Sequence, residues 1–165
     1  MSTRRLLISI VSVFGMLSAS GCCLGDFSSG VSSGFNRGME CELLITAVNA
    51  AETEILAMPE PMAGINVPTP EQAETSMEPL AATFDRHAAS YRAITITTPE
   101  LAAQRDALAV LYGEMSAHLR QQQFALALAM RTGDDAALDR IANEPDVYTP
   151  REDAITASIN GICGR

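Results

Sequence analysis

Tryptophan and lysine are both missing from this 165-residue chain, and aromatic residues make up only 5% of it. Strands draw on aromatic and β-branched side chains, so a core this poor in rings and rich in Ala, Leu, Met and Ile points to packed helices. With 47% hydrophobic residues, the chain is expected to fold rather than stay disordered. All 11 basic residues are arginine. Arg105, Arg120, Arg131 and Arg140 are spread out rather than clustered, against 20 acidic residues and a net charge of −9. Such a surface repels phosphate backbones, so nucleic acid is excluded as a partner.

Catalytic signatures are also missing. The sequence contains no CxxCH, CxxC, HExxH or GxSxG and no glycine-rich phosphate loop. Ser116 and Thr156 have no base nearby in sequence, so nucleophilic catalysis has no support. Only His87 and His118 offer imidazole. Glu114 and His118, at i and i+4, could share an ion, but the plainer reading is a helix-surface pair. The inward Glu-x-x-His pairs of carboxylate-bridged metal bundles are missing. The last helical segment has no histidine to bind haem. The expectation is therefore no enzyme, no metal and no cofactor.

No apolar run reaches the roughly 20 residues a spanning helix needs. The longest, Leu6 to Ala19, has 14 residues, follows Arg4 and Arg5, and is trailed by the small residues Ser20 and Gly21. That is the layout of an export signal. The sequence Ser18-Ala19-Ser20-Gly21-Cys22 resembles the lipobox of bacterial lipoproteins, with Ala19 where leucine is usual. The resemblance implies that residues 1–21 are removed, that Cys22 carries the lipid, and that the chain is held at the membrane by its acyl chains. With Cys23 rather than aspartate next, it implies a cell-envelope location, on the outer membrane facing the periplasm. Cleavage without lipidation is the competing reading. Loss of Arg4 and Arg5 leaves a mature charge of −11.

Residues 22–38 are rich in Gly and Ser and read as a tether, leaving 39–165 as one domain. Three segments there open alike: Thr69-Pro70-Glu71, Thr98-Pro99-Glu100 and Thr149-Pro150-Arg151-Glu152. Each offers Thr as N-cap, Pro in the first turn, and acids where the helix dipole is positive. Gln72 and Glu152 stand where a capping box needs them. Helices are expected over about 39–58, 70–94, 99–131, 135–143 and 150–162, with Pro79 as a kink or true start. The fold expected is all-α, an antiparallel up-down bundle of four long segments, the last broken in two. Folding about Thr95–Thr98 sets Tyr91 near Leu101, Phe84 near Leu108, Leu80 near Tyr112 and Met77 near Met115. In that register His87 lies opposite Asp106, with Asp106 or Asp85 as its expected neighbour.

An up-down bundle brings Cys41, at the start of the first helix, and Cys163, at the end of the last, to one end. A Cys41–Cys163 disulfide is therefore expected, with two buried free thiols as the alternative. The function expected is non-enzymatic: an anchored envelope protein with a structural or protein-interaction role and an unknown protein partner. The alternative is a bundle binding a small apolar ligand or a metal.

Overall fold

The computed structural model describes residues 31–59, 61 and 68–164. The expected signal segment, Cys22 and the first part of the tether lie outside the described residues. Among the described residues the regular structure is all α-helix: α1 Val31–Ala57, α2 Pro70–Ser76, α3 Glu78–Ala93, α4 Pro99–Thr132, α5 Asp135–Ala142 and α6 Thr149–Cys163. None of these helices is long and apolar enough to cross a membrane.

Of the three Thr-Pro start signals only the first caps as the sequence suggests; Thr98 makes no side-chain cap bond, and Tyr148 rather than Thr149 is the N-cap of α6. Thr69 and Gln72 exchange side-chain and backbone bonds in a complete capping box, at 3.2 and 2.8 Å. Gly133 and Gly164 close α4 and α6 in the left-handed conformation that only glycine adopts freely, at φ +66° and +71°. One boundary follows the expected kink or start at Pro79, and one differs from expectation. The 70–94 segment is two helices, because Pro79 removes a backbone donor and crowds the preceding turn. Met77 sits in the break, and Gln123 of α4 accepts its backbone N–H at 3.2 Å. α1 starts eight residues before Met39, so residues 31–38 of the expected tether are helical. Arg37 donates to the Ile162 carbonyl at 2.6 Å, and Cys41 is bonded to Cys163 with Cα atoms 5.8 Å apart. A helix fastened at these points extends backward at little cost, since nucleation has already been met.

α3 and α4 run antiparallel, as the bonds Arg92 to the Ala109 carbonyl (3.2 Å), Arg105 to the Ile94 carbonyl (2.9 Å) and Arg120 to Glu78 (2.8 Å) require. The register differs from the expected one by about two turns. Tyr112 meets Phe84 and Tyr91, with ring centroids 5.3 and 5.2 Å away, rather than Leu80. Ile94 and Thr98 are both extended, with ψ near 120°. An extended residue advances about 3.3 Å against 1.5 Å in a helix, so the link outruns α3 and the first turns of α4 overhang it. Ile96, inside that link, is buried in the core.

The main core joins Leu44, Phe84, Tyr91, Leu101, Leu108, Leu111, Tyr112 and Ile159 from α1, α3, α4 and α6. A smaller cluster of Ala73, Leu126 and Ala127, flanked by Met130, Leu138 and Ile141, ties α2 and α5 to the far half of α4.

Thr98 makes no side-chain cap bond for α4. Glu40 of α1 does that work from 57 residues away. Its carboxylate accepts from the Thr97 N–H (2.7 Å), the Thr97 hydroxyl (2.5 Å) and the Thr98 N–H (3.1 Å). These bonds, the Thr97 hydroxyl first, hold its pKa down to about 2 from an ordinary 4.5. A depressed carboxylate stabilises the fold above its ordinary pKa and loses that contribution as pH falls toward 2. Glu40→Gln is therefore expected to lower the urea midpoint at pH 7 and to flatten the loss of stability between pH 4.5 and 2. An unchanged acid limb in the variant would contradict this role.

Candidate functional site

A set of buried titratable side chains, Tyr91, His87 and Glu152, surrounds Tyr112. Its position on α4 faces α3 and α6 at once, because the 3.6-residue period puts Leu108, Tyr112, Met115 and Leu119 on the inward side. Phe84, His87 and Tyr91 of α3 stand edge-on to its ring. Its hydroxyl donates to Glu152 Oε1 of α6 at 2.7 Å, with both groups buried. Burial pushes the Tyr112 hydroxyl well above its usual range, and the neighbouring Tyr91 and Glu152 add to this. Burial likewise raises Glu152; the Tyr112 bond opposes the rise, and the charges of Asp153, Glu52 and Asp146 reinforce it. The Tyr91 hydroxyl is buried with no hydrogen-bond partner among the described residues, and desolvation raises its pKa too.

Glu152 was expected as a capping-box member; it instead turns inward. Tyr148 holds the N-cap position of α6, and Asp146 accepts from the N–H groups of Tyr148 and Thr149 at 2.9 and 3.1 Å. His87 lies beside Glu54 of α1, Nε2 to Oε2 3.0 Å, rather than beside Asp106 or Asp85. The two-turn change of register and the approach of α1 account for that difference. Arg86 also bonds Glu54. Glu114 and His118 do not converge. Glu114 accepts from Arg151 at 2.6 Å, while His118 is 3.7 Å from Glu144 and tilts against the Tyr148 ring. Among the described residues, no group of three His, Cys, Asp or Glu could hold a metal ion.

Among the described residues, Arg86, Arg105, Arg120, Arg131 and Arg151 are tied up in intramolecular ion pairs. Arg120 bonds Glu78, Asp85 and Ser116, and Arg131 bonds Glu74 at 2.6 Å. The Glu78 and Asp85 bonds raise Arg120 further and, from the other side, lower Glu78. Burial alone would raise Asp85, but the bonds from Arg120 and Ser116 outweigh it. Chemically, the Tyr112 cluster joins three helices through the Tyr112–Glu152 bond and leaves the Tyr91 hydroxyl without a partner among the described residues.

The outer faces differ in kind. On α4, Val110, Ala117, Gln121, Phe124 and Leu128 form a stripe on the side opposite the buried Leu101, Leu108, Leu119 and Leu126. Met39, Leu43 and Leu56 are exposed on α1. Sequence reading found the inward stripes and passed over these outward ones, although the same period marks both. No family model, curated protein or solved structure matches the chain.

Proposed function

We propose that this chain is a lipid-anchored lipoprotein of the bacterial cell envelope whose helical domain works by contact with another protein, without catalysis. The observation that carries the contact role is the apolar outer stripe of α4, where Phe124 and Leu128 are the two most exposed large hydrophobic residues among the described residues. An exposed aromatic side chain one turn from an exposed aliphatic one, flanked by Arg120, Gln121 and Arg131, has the make-up of a contact patch with a polar rim. Tyr112 with Glu152 and His87 with Glu54 are taken up in pairs that join helices, which favours a structural task for them. The arrangement favoured is a four-segment antiparallel up-down bundle, in keeping with the Glu40–Thr97, Glu54–His87, Glu78–Arg120 and Glu114–Arg151 pairings.

The anchor reading rests on residues 4–22: the paired arginines, the apolar run and the small residues before Cys22. More than one acyl chain on that cysteine would make the attachment durable, since a single chain holds a protein only marginally. Cells fed radiolabelled palmitate are expected to label this protein, and Cys22→Ser is expected to lose the label and accumulate with residues 1–21 attached. In density fractions the wild type is expected with the outer membrane. Unlabelled wild type free in the periplasm would overturn the anchor.

A further inference from the structure

We propose that the outer face of α4 pairs with the same face of a second copy, antiparallel, about a two-fold axis through Ala117. This deepens the contact role proposed above and rests on it. Positions 103, 107, 110, 114, 117, 121, 124 and 128 follow a 4-3-4-3 spacing along one side of α4, the spacing with which two helices keep a common seam. They read Ala, Ala, Val, Glu, Ala, Gln, Phe and Leu. Large residues gather at one end of the seam and small ones at the other. Phe124 and Leu128 are 67% and 61% exposed, and Val110 is 51% exposed.

That asymmetry selects the orientation. Turned end for end about Ala117, Phe124 of one copy meets Val110 and Gly113 of the other, and Leu128 meets the level of Ala107. Gly113 leaves room for such a neighbour beside the Arg92 guanidinium, which bonds the Ala109 carbonyl and would stand in ordinary contact, 3.9 Å, with a Cβ added there. Each large residue finds a gap, and alanines lie at the axis where the backbones come closest. A parallel pair would stack Phe124 on Phe124 and leave alanine facing alanine at the other end.

Charge selects the same orientation. In a parallel pair Asp106 faces Asp106 and Glu114 faces Glu114, on a chain whose net charge is already −9. In the antiparallel pair Arg131 comes within a turn of the second copy's Asp106, twice by symmetry; Asp106 accepts from its own Arg105 through Oδ1 at 2.8 Å and stays exposed to a second donor. Arg131 bonds Glu74 through one nitrogen, is about half exposed, and has donors left for a second carboxylate. Glu114 is already matched by Arg151 and faces the second copy's Gln121.

The seam is roughly 40 Å long and buries on the order of 900 Å² in total, below the standard size for a stable complex. The pair is therefore weak in dilute solution and forms where copies are concentrated on one surface.

The test uses the full chain in its own membranes, in a Cys23→Ser background. Ala117→Cys, at the axis, is expected to give a disulfide-linked dimer on a non-reducing gel, while Ala50→Cys, on the exposed side of α1, stays monomeric. Phe124→Glu added to Ala117→Cys is expected to cut the dimer at least tenfold. Arg131→Glu is expected to weaken it, and Asp106→Arg in the same chain to restore it; recovery through the swapped pair is not something a purely structural role for Arg131 would give. As a check free of cysteine chemistry, a photo-crosslinking phenylalanine analogue at position 124 is expected to yield an adduct of twice the chain mass, joined near residues 107–113. Ala117→Cys remaining monomeric, or Ala50→Cys forming the dimer instead, overturns self-pairing. An adduct of another mass overturns it too but leaves the contact role standing. No adduct at position 124 removes both.

Discussion

Replacing Cys41 and Cys163 with serine is expected to cost about 4–5 kcal/mol, the largest loss any pair of polar substitutions should cause here. The bond joins residues 122 apart, so its removal frees nearly the whole domain in the unfolded state. Loop-closure entropy grows with the logarithm of loop length, which is why a bridge of this span ranks near the top of the scale. The loss also loosens the start of α1, where Arg37 reaches the Ile162 carbonyl and Glu40 caps the α4 entrance. Thermal unfolding followed by circular dichroism, with and without reductant, checks this. A wild type whose melting temperature is unmoved by reductant, with both thiols free to alkylation, would show that the bridge does not form.

The second large effect is expected at Tyr112. Truncation to alanine empties the contact point of Phe84, His87 and Tyr91 and is expected to cost about 3–5 kcal/mol, as for other large buried aromatics. Tyr112→Phe keeps the packing but removes the donor to Glu152, and is expected to cost about 1.5–3 kcal/mol at neutral pH because a buried carboxylate is left without it. Replacing both partners, as Tyr112→Phe with Glu152→Met, should recover much of that loss. The sign with pH follows from the raised Glu152 pKa. The folded state binds the proton more readily than the unfolded one, so the stability that protonation gives is full below the ordinary carboxylate value. It is lost as pH rises through the raised value. Glu152→Gln, which keeps an acceptor without the charge, is expected to exceed wild type in stability at pH 7 and to converge with it near pH 4. Urea unfolding at the two pH values measures this; parallel curves for the two proteins would refute it.

The helices and the bridge were legible in the sequence because their causes are local or follow from helix order. A Thr-Pro pair followed by an acid marks a helix start, and Gly133 marks a stop. Cys41 and Cys163 sit at helix ends that the alternation of direction brings together. The register between α3 and α4 was not legible, because it depends on the extended path of Ile94 to Thr98, and five residues give little periodic signal. The Glu40 cap was hidden for a different reason. Nothing in a carboxylate's neighbours along the chain reveals that it serves a helix entrance 57 residues away. Glu152 misled because its spacing from Thr149 suits a capping box, yet burying it against Tyr112 won over the local option. The early start of α1 ran against the Gly and Ser content of residues 31–38, which local propensity reads as loop; attachment to α6 overrides it.

The same bridge has a mechanical meaning. Residues 41 to 163 form a closed ring. A pull on the amino end is handed across the sulfur bond to the far terminus before it reaches α3 or α4. Stretching the molecule end to end can straighten the leading tail but cannot unspool the ring. A protease that threads its prey from one terminus would stall at the knot of two strands unless a reductant first opened it.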